Sequence, residues 1–370
     1  MIKLLIVAGA RPNFMKIAPL IREIQKRPET FEYSLVHTGQ HYDDEMSSVF
    51  FRELGIPEPN FHLNVGSGSH AAQTAKIMTM FEPICLGQNP SCVIVVGDVN
   101  STLACSIVAK KLNYTVAHIE AGLRSGDLAM PEEINRIVTD SISDLFYVTE
   151  RSGATNLLKE GKSDAQIAHV GHVMADNLLF EIDKLDTQSA NDLADRIVGG
   201  QLRGRYGVVT LHRPANVDNK EVLAEIRDAL NDIAAQIPLI FAVHPRTKKK
   251  LAEFDLTFSD NVHLIEPQGY RNFVQLWRFA TLVLTDSGGL QEETTVLGVP
   301  CLTLRTNTER PITVDEGTNT IVGTERAVIV KAAKMILAGD ARPGSIPALW
   351  DGRSAGRILD HLESNLCAAR

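Results

Sequence analysis

The chain has 370 residues, a formal charge of −8 at neutral pH, and ordinary apolar (44%) and charged (22%) fractions. At roughly 150 residues per domain the length predicts about two domains, and the acidic balance argues against a broad nucleic-acid surface, which needs a basic excess. The five cysteines form no CxxC pair, which predicts a reduced, cytoplasmic chain without a structural zinc, and no apolar run reaches the roughly 18 residues a membrane helix needs.

From the N-terminus, KLLIVAG reads as a first buried strand; its short apolar run ends in Gly-Ala-Arg-Pro, unlike a signal peptide. GARPNFMK then makes a turn and opens a helix. Gly9 permits a tight turn, Pro12 suits a helix start, and Arg11 and Lys16 bring positive charge beside helix N–H groups. That pattern suits a phosphate, and equally an ordinary turn with a surface arginine. EYSLVHTG is a second strand, followed by TGQHYDDEM with Gln40 and His41. CVIVVGD and TVAHIEA are further strands, joined by the helical stretch NSTLACSIVAKKLN, and they place Asp98 and Glu120 where the strands end. Ligands of open α/β sheets bind at the carboxyl ends of the strands, so both acids are expected in one crevice. Glu132 follows at a helix start in MPEEINR, which also carries Arg136. Three converging carboxylates point to proton transfer, each raising the others' proton affinity by like-charge repulsion, or to coordination of a cation. No HExxH or DxD pattern supports a metal. His118, inside TVAHIEA, is expected to be buried and structural, as are His37, His62, His70, His169, His172 and His263 by default.

After the strand DLFYVTE the pattern breaks into a polar, glycine-containing stretch over residues 183–205, and a second series begins: YGVVTLH, PLIFAVH, NVHLIEP, TLVLTDS, VPCLTL and TIVG. These runs are rich in Val and Ile with little polar alternation, as in strands covered on both faces. The expected fold class is α/β, with two Rossmann-like doubly wound domains at residues 1–172 and 173–352 and a crevice between them. The final helix, 353–370, is expected to pack back on the first domain.

In the second series, VTLHRPANVD sets His212 and Arg213 after a strand, suited to a diphosphate through an imidazole donor and a guanidinium fork, and equally to a histidine satisfied at a strand end. HPRTKK offers His244 and Arg246 in the same way. TDSGGLQEE is the stronger signal: Ser287, Gly288 and Gly289 open a helix whose start favours an anion, and Glu292 or Glu293 is placed to accept from a ribose diol. The alternative is plain capping by Ser287, with acids offsetting the helix dipole. TNTERP puts Glu309 and Arg310 in a loop after a strand.

GARPNFMK, TGQHYD, VVGDVNSTLA, HIEAGLRSGD, MPEEINR, VTLHR, HPR, TDSGGLQEE and TNTERP, in this order from about residue 7 to residue 322, resemble the non-hydrolysing UDP-N-acetylglucosamine 2-epimerases. The resemblance implies a glycosyltransferase-B-like pair of domains, a UDP-sugar in the cleft, usually a homodimer, and no cofactor, membrane or nucleic acid. It implies that a base takes the C2 proton while UDP leaves C1, giving a 2-acetamidoglucal to which UDP returns as a proton arrives on the opposite face. By position Asp98, Glu120 and Glu132 match the acid/base carboxylates, His212, Arg11, Ser287, Gly288 and Gly289 the diphosphate contacts, and Glu293 a ribose contact. We count His212 with the catalytic groups, and Lys16, Gln40, His41, Arg136, Arg213, His244, Arg246 and Arg310 with the binding ones. There are departures: Asn13 stands where many bacterial members have an acid, and Ala72-Gln73 where an Arg-Gln pair helps to hold a second, activating UDP-GlcNAc. Related readings are an epimerase of UDP-2,3-diacetamido uronic acids, a glycosyltransferase of the same fold, a hydrolase releasing free N-acetylmannosamine, and a sensor, which would have no need of the three acids.

Overall fold

The computed structural model describes residues 1–39, 48–185, 194–196 and 205–368. Chain contacts divide it into two units, residues 1–177 with 348–370 and residues 178–347. The divisions expected from sequence are 172/173 and 352/353; the first bound between the two units falls within a helix, which no change of composition marks.

Unit 1 alternates strands and helices: β1 (Ile2–Ala8), α1 (Arg11–Ile24), β2 (Phe31–His37), α2 (Ser48–Leu54), β3 (Phe61–His62), α3 (His70–Gln88), β4 (Cys92–Val96), α4 (Asn100–Lys111), β5 (Thr115–Ile119), α5 (Pro131–Ile142), β6 (Leu145–Val148), α6 (Arg151–Lys159), β7 (Ile167–His169) and α7 (Val173–Ile182), which runs across the boundary. The sheet is parallel throughout, in the order β3-β2-β1-β4-β5-β6-β7. Its central strands are buried on both faces; Leu5, Val7, Val93 and Val95 pack one face against Ile77, Phe81 and Cys105 of α3 and α4. The doubly wound fold class expected from the alternation is thus found here.

Unit 2 repeats the plan: β8 (Gly207–Thr210), α8 (Pro214–Val217), α9 (Lys220–Ala234), β9 (Leu239–Ala242), α10 (Pro245–Glu253), β10 (Val262–Ile265), α11 (Tyr270–Trp277), β11 (Leu282–Thr285), α12 (Gly288–Leu297), β12 (Cys301–Thr303), α13 (Pro311–Asp315), β13 (Asn319–Ile321) and α14 (Arg326–Ala338). The sheet is again parallel, in the order β10-β9-β8-β11-β12-β13. Its core joins Val209, Phe241, Leu282 and Leu284 to Ile226, Leu230 and Ile233 of α9 and Ile329 of α14.

The last helix, α15 (Ser354–Ala368), belongs to unit 1. Ile358, Leu359 and Leu362 are fully buried, Arg27 reaches Asp360 at 2.6 Å, and Asp176 caps the helix by accepting from the Ser354 and Ala355 N–H groups at 3.1 and 2.8 Å. Among the described residues no helix is long and apolar enough to cross a membrane.

Strand order reverses direction between β1 and β4 in unit 1, and between β8 and β11 in unit 2. At such switch points the connecting loops diverge and leave room for a ligand at the carboxyl ends.

Candidate active site

In unit 1 the loops after β1, β4 and β5 gather around a pair of carboxylates. Asn13 shapes the first loop: its Oδ1 accepts from the Gly9 and Ala10 N–H groups at 3.1 and 3.0 Å, and its Nδ2 donates to the Val96 carbonyl of β4 at 3.3 Å. An amide there does the work of a capping carboxylate without burying a charge. One turn further on, the Lys16 ammonium is hydrogen-bonded to Glu120 Oε2. The pair lies over Gly97, where a Cβ would come within 3.3 Å of Lys16 Nζ and 3.5 Å of Glu120 Oε2. Gly97 also has a φ of +66°, so both the backbone and the close approach call for glycine.

Asp98 follows, and Arg136 of α5 grips its Oδ2 through Nε at 2.9 Å and Nη2 at 2.5 Å. Arg136 is itself anchored by Glu133 at 2.7 Å. Burial would raise the Glu133 carboxyl, yet the Ser125 and Gly126 N–H groups and Arg136 together hold it below its ordinary range. Glu120 has a φ of +66°, a left-handed conformation that a residue with a Cβ adopts at a cost of about 1–2 kcal/mol. It is buried, and its N–H and that of Ala121 both donate to the Tyr147 carbonyl of β6, at 3.0 and 3.2 Å. Glu132 is half-buried at the start of α5 and, among the described residues, makes no hydrogen bond or ion pair. Cations, Arg136 and Lys16, thus sit against Asp98 and Glu120.

The site of unit 2 is built at the ends of β8 and β11. Asp286, fully buried, accepts from the His212 and Arg213 N–H groups at 3.0 and 2.8 Å, from Asn216 Nδ2 at 3.2 Å and from His212 Nδ1 at 2.9 Å. Burial pushes its carboxyl up, but His212 and these backbone donors outweigh that and leave it below its ordinary range. With Nδ1 committed to Asp286, His212 keeps Nε2 for an incoming oxygen. The His244 ring stands 5.9 Å away, centre to centre. Ser287 is the N-cap of α12, yet its hydroxyl makes no capping bond; the Ser287 N–H instead donates to Thr285 Oγ1 at 3.0 Å. Capping therefore does not account for Ser287. Its hydroxyl and the first N–H groups of α12 are open to an anion, and a Cβ at the exposed Gly289 would meet nothing within 4 Å. Beyond them Glu293 is buried, with Tyr270 Oη donating to it at 2.9 Å. Glu309 accepts from Arg305 at 2.7 and 2.9 Å; burial alone would raise its carboxyl, but Arg305 draws it down to about 2.

The family model described as UDP-N-acetylglucosamine 2-epimerase matches residues 22–363. The chain belongs to this family of epimerases. It is 42% identical over 365 residues to the UDP-N-acetylglucosamine 2-epimerase of Methanocaldococcus jannaschii, over 96% of this chain and 98% of that one. It is 38% identical over 363 residues to the UDP-2,3-diacetamido-2,3-dideoxy-D-glucuronate 2-epimerase of Pseudomonas aeruginosa, over 97% and 99%. The crystal structure of the M. jannaschii enzyme in complex with UDP-GlcNAc and UDP resembles it with a TM-score of 0.84 at 40% identity, over 98% of this chain and all of that one.

For this epimerase-family chain, unit 1 brings Lys16, Asp98, Glu120 and Arg136 together around Gly97, and unit 2 brings His212, Arg213, Ser287, Gly288 and Gly289 to one sheet end. Arg11 is exposed at the first position of α1, while Lys16 is bound to a carboxylate, so the two cations of GARPNFMK do not make a matched phosphate pair. Arg246 is exposed and turns to Asp218, with Nε at 2.9 Å. Arg310 is held by Glu292. Gln40 and His41 lie outside the described residues. Sequence reasoning missed Asp286 and Glu133. Asp286 had a signal, an acid closing an otherwise apolar strand just before the glycines; Glu133 had only its place beside Glu132.

Proposed function

We propose that this chain interconverts UDP-N-acetylglucosamine and UDP-N-acetylmannosamine by eliminating UDP across C1 and C2 and adding it back through a 2-acetamidoglucal. The observation that carries this reading is the pair of carboxylates at the ends of consecutive strands, Asp98 held by Arg136 and Glu120 by Lys16. Inversion at C2 needs a proton removed from one face and delivered to the other, and hence at least two acid–base groups; transfer to an acceptor needs one. A hydrogen-bonded cation steadies the charge that each carboxylate holds between proton transfers. Glu132, unpartnered at the start of α5, supplies a third such group.

Unit 2 holds the nucleotide in this scheme. The Ser287 hydroxyl, the Gly288–Gly289 start of α12, His212 and Arg213 receive the diphosphate, and Glu293 the ribose. Such a grip also retains UDP after it has left C1, which re-addition requires. The cysteine usage supports a cytoplasmic protein and the family resemblance a homodimer; light scattering at the mass of one protomer would reject the dimer.

The similarity to the P. aeruginosa relative supports one alternative, the same chemistry on a UDP-2,3-diacetamido uronic acid. Incubation with UDP-N-acetylglucosamine in D₂O, followed by proton NMR without an acceptor, decides. UDP-N-acetylmannosamine carrying deuterium at C2 is the expected product. Free N-acetylmannosamine with UDP would make the protein a hydrolase. No change with this sugar, but deuterium entering the diacetamido uronic acid, would move the substrate and keep the mechanism.

A further inference from the structure

His118 is fully buried in β5, beside Val95 of β4 in the sheet register, as expected of a structural residue. Its contacts are nonetheless specific. Nε2 lies 2.8 Å from the carbonyl oxygen of Gly97, the residue before Asp98, and Nδ1 lies 2.7 Å from Asp140 Oδ1 of α5. Asp140 is equally buried, and its Oδ2 accepts from the Gly122 N–H at 3.0 Å and lies 2.8 Å from Arg124 Nη1. Burial pushes the Asp140 carboxyl up, but His118 and Arg124 outweigh it and hold it below its ordinary range. Gly122 stands two residues after Glu120, has a φ of +77°, and packs so closely on α6 that a Cβ would fall 2.3 Å from the Gly153 carbonyl oxygen.

We propose that His118 and Asp140 are positioning residues: His118, fixed between Asp140 and the Gly97 carbonyl, sets the turn that presents Asp98, while Asp140, through Gly122, sets the turn that presents Glu120. One buried pair thereby fixes the separation of the two carboxylates. The turn at Glu120 needs such a hold, because a residue with a Cβ is left-handed there, and the pair adds to the bonds that the Glu120 and Ala121 N–H groups make to Tyr147. His118 takes no part in proton transfer itself, since it has no exposed surface and both of its nitrogens face oxygen atoms of the fold. The inference rests on the assignment of Asp98 and Glu120 to acid–base chemistry.

The test compares His118→Phe, which fills the space without hydrogen bonds, with His118→Gln, whose amide nitrogen can replace the donor to Gly97. His118→Phe is expected to lower kcat by about 100-fold, the scale of a carboxylate misplaced by about 1 Å, with KM and the Kd of UDP changed less than threefold. His118→Gln should recover at least tenfold of that loss. A residue that serves the fold alone would lower the melting temperature in both variants and leave kcat per folded molecule intact; that result would overturn the proposal. Crystal structures of both variants give a readout that needs no turnover. Displaced Asp98 and Glu120 carboxylates in His118→Phe but not in His118→Gln are expected; unmoved carboxylates in His118→Phe refute the idea whatever sugar the enzyme takes. Should His118→Phe not fold, Asp140→Asn takes its place in both measurements, with the same expected loss and the same refuting outcomes.

Discussion

Glu293 offers a stability measurement whose sign and size follow from its surroundings. Its carboxyl lies inside unit 2 with about 7% of its surface exposed, one hydrogen bond from Tyr270, and Glu292 as its chain neighbour. Burial pushes it up to about 7 from its ordinary 4.5, against the Tyr270 hydrogen bond and with the Glu292 charge. A carboxyl raised in the folded state keeps a proton that the unfolded chain gives up. Its contribution is therefore fully present below pH 4.5 and is lost as pH rises through 7. At about 1.4 kcal/mol for each tenfold in proton affinity, the gap corresponds to about 3 kcal/mol lost between pH 4.5 and pH 8. Glu293→Gln removes the titration while keeping the shape. Urea unfolding of both proteins across this range should show the variant gaining about 3 kcal/mol on the wild type toward pH 8, other titrations cancelling in the comparison. A difference that does not change with pH would refute the buried, proton-holding carboxyl. If a ribose diol donates to this group, UDP binding must also release protons near pH 7, which calorimetry in buffers of different ionisation enthalpy would register.

Four other substitutions separate the roles of the remaining groups. Lys16→Met should lower turnover by 100-fold or more while UDP affinity stays within threefold, because Lys16 is bound to Glu120; a large loss of UDP affinity in direct titration would return it to the phosphate site. Gly289→Ala should melt no lower than wild type yet bind UDP at least tenfold more weakly, whereas Gly122→Ala should fail to fold, since its Cβ would strike the Gly153 backbone; UDP affinity unchanged in Gly289→Ala would remove the start of α12 from the nucleotide site. Arg246→Ala should leave both UDP affinity and kcat within twofold, as its guanidinium is spent on Asp218 at the surface, and a tenfold loss in either would restore it to the site.

The central strands and the acids that follow them were legible because buried parallel strands are unbroken apolar runs and the residue after such a run stands at a fixed place in the sheet. The edge strands β3 and β7, two and three residues long, carry no such run and were not read. Nor could apolar periodicity reveal what α5 does: its inward face is polar, with Glu133, Arg136 and Asp140 at helical spacing, each buried against a partner. A pattern search takes that stripe for a solvated face. The pairing of Lys16 with Glu120 joins residues 104 apart in sequence, and only the order of β1, β4 and β5 in the sheet brings them together.

The left-handed backbone of Glu120 has a consequence for how this position can change over time. Most sites in a fold drift toward whatever the local conformation prefers, and here that preference is glycine. Selection for stability and selection for turnover therefore pull one residue in opposite directions. Random variants chosen only for thermal tolerance should accumulate glycine at this position and lose activity together with it. The glutamate persists only while turnover itself is being selected.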